Sequence, residues 1–186
     1  FNQQITKEIK QALIMIENTI HKNLGDKKNP LLLSVRSGAR ISMPGMMETV
    51  LNIGLTTETI PGLIKKTNNP KFVYDSYRRL IMMYADVVME KAEQKDGVQI
   101  REKLENILEK IKQDKKIEQD SDLTVDDLKK IISEFKKCIL RNLGEEFPDS
   151  CKKQLWGAIE AVFKSWNGKR AKQYRKIENI PNNWGT

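Results

Sequence analysis

A set of cations, hydroxyls and glycines lies between two apolar runs in residues 31–55, LLLSVRSGARISMPGMMETVLNIGL. Arg36 and Arg40 bring guanidinium groups, which grip phosphate oxygens through parallel hydrogen bonds. Ser37, Ser42 and Thr49 add hydroxyl donors. Gly38 and Gly45 let the backbone approach a ligand and turn N–H groups toward it, as in anion-cradling nests. The chemistry of such a set is the holding of a phosphate-rich anion. The stretch contains neither GxxxxGK[ST] nor GxGxxG, so it is not a P-loop or a dinucleotide fingerprint. A hairpin with a basic, glycine-containing surface loop is the plain alternative. A second pair of cations, Arg78 and Arg79, follows Asp75-Ser76-Tyr77. Neighbours in a helix are separated by about 100° around the axis, so only one of the two easily faces a given ligand. Pairing with Asp75 or Asp86 on the helix surface is the alternative for both.

These groups need a scaffold, and hydrophobic periodicity outlines one. Leu31, Leu33 and Val35 alternate with Leu32, Ser34 and Arg36, the period of a strand, and Val50–Leu55 reads as a second strand with Leu51, Ile53 and Leu55 on one side. Ahead of them, Ile5, Ile9, Leu13, Ile16, Ile20 and Leu24 predict an amphipathic helix over 5–24 capped by Gly25. After them, a short helix is expected around Ile60–Lys66. Pro70 then opens a longer one through Met89, with Phe72, Val73, Tyr77, Leu80, Ile81, Tyr84 and Val88 buried. Residues 91–121 predict a charged, solvent-exposed helix with Ile100, Leu104, Ile107, Leu108 and Ile111 at helical spacing, then a flexible turn around Asp114–Ser121. Thr124-x-x-Asp127 resembles a capping box that starts a helix at Val125, and Gly144 ends it. Leu128, Ile131, Ile132, Phe135 and Ile139 form its apolar face. Pro148 fits the first turn of the next helix, in which Leu155, Ala158, Ile159, Val162, Phe163 and Trp166 pack inward until Gly168. A basic helix, Lys169–Ile177, and an extended Pro181–Thr186 close the chain. The fold class expected is mainly α with a small antiparallel β element, α+β.

The 186 residues suffice for one domain with a sizeable core. A net charge of +8 favours anionic partners: nucleotide, inorganic phosphate, nucleic acid or an anionic surface. Much of the excess is lysine on solvated faces. Cys138 and Cys151 fall in different helices, no CxxC or Cys/His cluster suggests zinc, and two reduced thiols of a cytoplasmic protein are expected. His21, the sole histidine, lies among lysines and reads as a surface residue. No run of 18 apolar residues offers a membrane span. The opening at Phe1 suggests a piece of a longer protein.

SVRSGARISMPGMMETVLNIGL closely resembles the nucleotide-binding signature of the pyruvate, phosphate dikinase family. NPKFVYDSYRRLIMMYADVVM, the FP of EEFP, and QLWGAIEAVFKSWNGKRAKQYRKIENIPNNWGT resemble it too, in the family's order. The related phosphoenolpyruvate synthases carry a VRSS-type strand, so SGAR-x-SMPGMM favours the dikinase, with the synthase-like phosphotransferase as alternative. The resemblance implies that residues 1–186 are part of an ATP-grasp nucleotide-binding domain. Residues 31–55 would be its phosphate-binding strand–loop–strand unit and 91–147 a variable helical insertion. It implies nucleotide or phosphate binding by Arg36, Ser37, Gly38, Arg40, Gly45, Met46, Met47 and Arg79, with no catalytic residue in this stretch. The family interconverts ATP, phosphate and pyruvate with AMP, pyrophosphate and phosphoenolpyruvate through a phospho-histidine on another domain, and His21 does not match that motif. Mg2+ belongs to the reaction, but its acidic ligands and the adenine-side lysine have no counterpart in these residues. The chain alone is therefore expected to be inactive, and the full enzyme a homodimer. A basic nucleic-acid-binding module built on Lys164–Lys176, with Trp166 and Tyr174 among the cations, is the reading from a different class.

Overall fold

The computed structural model describes residues 3–93, 95 and 97–185. Phe1, Asn2, Gln94, Asp96 and Thr186 lie outside the described residues. The described residues form seven α-helices and one antiparallel pair of strands, β1 (Leu33–Arg36) and β2 (Thr49–Ile53). The helices are α1 (Gln3–Ile20), α2 (Ile60–Thr67), α3 (Pro70–Tyr84), α4 (Ile100–Lys115), α5 (Val125–Leu143), α6 (Cys151–Ser165) and α7 (Lys169–Ile177). The strand pair packs on α3 and α6. The mainly helical α+β class expected from the sequence is the one observed.

The main core gathers residues from β2, α2–α6 and the connections between them. Val73, Tyr77, Leu80, Ile81 and Tyr84 of α3 face Leu128, Ile131, Phe135 and Ile139 of α5. Asn69 caps α3 by accepting from the Phe72 amide at 3.0 Å, with Pro70 in the first turn, where a missing N–H is harmless. Past Tyr84 the helix widens into a π-helical turn, Ala85–Lys91, with Ala92 N–H bonding back to Val87 C=O. The capping box of α5 is complete: Thr124 Oγ1 accepts from Asp127 N at 3.2 Å, and Thr124 N donates to Asp127 Oδ2 at 3.0 Å.

Several sequence expectations change. α1 stops at Ile20, because His21 takes a left-handed conformation (φ 54°); Gly25 (φ 88°) belongs to the following turn. No residue of α1 is buried, and Ile14, Met15, Ile16 and Ile20 are exposed. α4 is amphipathic as expected but is not an outlying helix: Ile100, Leu104, Leu108 and Ile111 join the main core. The turn after it is tied down, since the short 3-10 turn Asp120–Asp122 places Asp120 against Arg78 and Lys112. Pro148 stands ahead of α6, whose cap is Ser150, accepting from Lys153 N at 3.4 Å. Phe72 and Phe163 are largely exposed, although the period placed them inward. Pro181–Gly185 is a turn, with Trp184 N–H bonding to Pro181 C=O, and the last residue of the expected extended tail, Thr186, lies outside the described residues.

The strand pair carries the most consequential change. Val35 pairs with Val50 and Arg36 with Thr49, but Leu33 pairs with Ile53, so β2 holds one extra residue. Asn52 adopts φ 60° in that bulge. An extra residue inverts the facing of everything beyond it. Ile53 and Leu55 are therefore buried while Leu51, expected on the same side, is 45% exposed.

Candidate nucleotide-phosphate site

The exposed residues of the strand pair and of the neighbouring helix α3 include the candidate phosphate-binding arginines. Arg36 stands opposite Thr49, and both are exposed, whereas the adjacent pair places Val50 in the core. Leu51, the next outward residue of β2, offers its amide to Met83 Sδ at 3.4 Å. Met83 lies one helical turn beyond Arg79, on the same side of α3. The Leu51–Met83 contact joins β2 to α3, the helix that carries Arg79, while Arg36 lies across the strand pair from it on β1.

The arginines are held differently. Arg78 is 3% exposed; its Nε and Nη2 bond to Asp75 Oδ1 at 2.9 and 2.6 Å, and Nη2 reaches Asp120 Oδ2 at 3.0 Å. It is spent on structure. Arg79 is 60% exposed and, among the described residues, donates only Nε, to Asp75 Oδ2 at 2.7 Å, which leaves its two Nη groups for a ligand. Asp75 accepts from both. Its burial opposes ionisation, but the bonds from Arg78 and Arg79 outweigh that and hold the carboxyl below its usual range. The alternative reading of an arginine paired with Asp75 is thus realised for both, completely for Arg78 and through one nitrogen for Arg79. Among the described residues, Arg36 and Arg40 have no ion-pair partner.

The loop from Ser37 to Glu48 is open on one limb and seated on the other. Gly38, Arg40, Ile41 and Ser42 are exposed, and no acceptor for their amides occurs among the described residues. Ser37 Oγ accepts from Ala39 N at 3.2 Å, which curls the start of the loop. On the return limb, Met46 N bonds to Met43 C=O at 3.1 Å across Pro44 and Gly45. Gly45 has φ 71°, the left-handed third position of a type II turn, so its glycine is explained by the turn as well as by any ligand. Met43 is buried, and Met46 and Met47 are half-buried, against Trp166 and Ile180 in a cluster separate from the main core. Glu48 N donates to Ser165 Oγ at 3.3 Å, and its carboxylate meets Arg170 at 3.4 Å.

The arrangement offers an anion the Arg36 fork, the Nη edge of Arg79 and the amides of Gly38, Arg40, Ile41 and Ser42, which lack an acceptor among the described residues. Among the described residues no group of three or more His, Cys, Asp or Glu is placed to hold a metal ion. The sequence reading missed the supports, namely Ser165, Glu48 and above all Arg175, which is 2% exposed within the basic helix Lys169–Ile177. Its one local signal is the spacing to Ala171, buried one turn earlier on the same helix face.

The family described as pyruvate phosphate dikinase, AMP/ATP-binding domain, matches residues 1–186. The chain is 48% identical over 185 residues to pyruvate, phosphate dikinase of Clostridium symbiosum, covering 99% of this chain and 20% of that protein. It is 47% identical over 180 residues to the chloroplastic pyruvate, phosphate dikinase 1 of Arabidopsis thaliana, covering 97% and 18%. The Rhizobium meliloti pyruvate, phosphate dikinase is 43% identical over 182 residues, covering 98% and 19%. The chain thus spans about a fifth of the length of these relatives. With residues 1–186 matched throughout, the chain belongs to the pyruvate phosphate dikinase AMP/ATP-binding domain family.

Proposed function

We propose that the chain is part of the ATP-grasp domain of a pyruvate, phosphate dikinase, and that the surface of Arg36, the Ser37–Ser42 limb and Arg79 holds the phosphates of ATP. The observation that carries the reading is the contrast among arginines. Arg78 is neutralised and buried, whereas among the described residues Arg36 has no ion-pair partner and Arg79 keeps its Nη edge open. Phosphoryl transfer asks a protein mainly to position phosphates and neutralise their charge. Here Arg36 grips the nucleotide phosphates, the loop amides orient them, and Arg79 serves ATP or inorganic phosphate. Leu51 and Met83 give the nucleoside an apolar surface.

The β-phosphoryl passes to a histidine on another domain of the same protein and from there to pyruvate, in a homodimeric enzyme. Magnesium takes its ligands from outside these residues, so the charge neutralisation assigned here is guanidinium and amide work. The phosphoenolpyruvate synthase-like alternative shares this site. For a nucleic-acid module, of the two aromatics that would stack on bases, Trp166 is only 7% exposed and Tyr174 is half-buried against the same cluster. Among the described residues no helix is long and apolar enough to cross a membrane.

The test is Arg36→Ala in the full-length enzyme. Loss of a charge-assisted fork removes about 1.5–3 kcal/mol, a rise of roughly 10- to 100-fold in the ATP dissociation constant. Isotope exchange between phosphoenolpyruvate and pyruvate, which does not use the nucleotide, should be unchanged. Unaltered ATP affinity would refute the assignment.

A further inference from the structure

The geometry points to Arg175 as a positioning residue for the phosphate loop, acting through Trp166 without touching the ligand. This inference rests on the polyphosphate reading of residues 36–48 above. Arg175 is unlike the other cations of α7, since Lys169, Arg170, Lys172 and Lys176 are exposed. Among the described residues it has no carboxylate partner, and burying an unneutralised charge is costly. The guanidinium is instead laid on the Trp166 ring, 4.1 Å from its centroid. Nη1 donates to Trp166 C=O, and Nε donates to Asn182 Oδ1 at 3.1 Å. The backbone closes the same corner: Ile180 N bonds to Arg175 C=O at 2.9 Å, and Trp166 Nε1 donates to Asn182 C=O at 3.4 Å.

This corner is the seat of the loop. Trp166, Ile180 and Met43 form the buried centre of the second cluster, and Ala39, Met46 and Met47 pack on it. Ala39 neighbours Arg40, while the three methionines belong to the return limb. The loop therefore takes its position from a small cluster stapled by one guanidinium. Arginine suits the role because its planar group stacks and donates in two directions at once and stays charged. Lysine can supply the charge but not the plane, and an aliphatic residue supplies neither.

The experiment compares Arg175→Lys, Asn182→Ala and Arg36→Ala in the full-length enzyme. Asn182 is exposed, so its truncation removes one acceptor from Arg175 without opening the core. Arg175→Lys should raise the KM for ATP by about 10-fold or more, in keeping with the cost of remote misplacement, and Asn182→Ala should raise it less. Phosphoenolpyruvate–pyruvate exchange should stay at the parent rate in both. Amide exchange should accelerate across residues 39–48 and not in α3 or α5. An unchanged KM for ATP in Arg175→Lys overturns the inference, as does an equal loss in both half-reactions. If Arg36→Ala also leaves ATP binding intact, the polyphosphate reading itself has failed. If Arg36→Ala weakens ATP and Arg175→Lys does not, only the positioning role is lost.

Discussion

Replacing Gln154 should destabilise the protein far more than its polar type suggests. Its side chain is fully buried on α6, yet it makes three bonds to backbone that leaves β2 or precedes α6. Oε1 accepts from Gly54 N at 3.1 Å, and Nε2 donates to Leu55 C=O at 2.9 Å and Pro148 C=O at 3.0 Å. Gly54 and Leu55 are themselves buried, so truncation strands an N–H and a C=O away from water, while Pro148 is less enclosed. Each stranded group costs about 1–3 kcal/mol, and Gln154→Ala should therefore lose roughly 3–5 kcal/mol. Urea unfolding measures this as a lower midpoint at constant slope. Gln154→Glu discriminates further. A carboxylate can still accept from Gly54 but offers no proton to either carbonyl. Burial should raise its folded-state pKa, so the variant should lose stability as pH rises through its range and regain part of it on acidification. A loss below about 1 kcal/mol for Gln154→Ala would refute the reasoning, because the stranded groups would then have found other partners.

Two further outcomes follow from local geometry. Asp127 accepts from Lys115 and, in the capping box, from Thr124, and these bonds bring its carboxyl from 3.8 down to about 2 against the opposing effect of burial. A depressed folded-state pKa adds stability that is complete above about 4 and is lost as pH falls toward 2. Asp127→Asn should thus melt below the parent at neutral pH, with the gap closing near pH 2. Gly157→Ala would place a methyl 2.2 Å from Tyr84 Oη and 3.3 Å from its Cζ. Despite alanine's higher helix propensity it should lose about 1–3 kcal/mol by overpacking, and Tyr84→Phe in the same chain should restore much of the Tm, a non-additive pair.

The sequence disclosed what local rules govern. The capping box of α5 links residues three apart, and the stripe Leu128, Ile131, Ile132, Phe135 and Ile139 repeats within one helix, so both were legible. The loop stood out because its basic and glycine residues are contiguous. What stayed hidden was set by partners far along the chain. Arg78 and Arg79 look equivalent until Asp120, 42 positions away, claims the first. Leu51 obeyed the strand period until the left-handed Asn52 inserted a bulge, a backbone choice that hydrophobic alternation does not record. Ser150 displaced Pro148 as the start of α6 because its hydroxyl satisfies the Lys153 amide, whereas Pro148 C=O is taken by Gln154. Arg175 is the furthest case, since nothing in a basic helix says which cation turns inward.

The loop itself explains why its supports lie so far off in sequence. A flexible segment must be ordered when it binds, and that ordering subtracts from affinity. Here the Arg36–Thr49 pair fixes the stem, the Met43–Met46 turn fixes the return, and Ser165 holds the Glu48 amide. In the limb from Gly38 to Ser42 all residues but Ala39 are exposed, and that limb carries Arg40. Local sequence cannot achieve this division, because a loop that satisfied its own amides would have none to offer a phosphate. The restraint has to come from other elements, and α6 and the segment after α7 supply it through apolar contacts and the Ser165 hydroxyl, which leave the amides of Gly38, Arg40, Ile41 and Ser42 without an acceptor among the described residues.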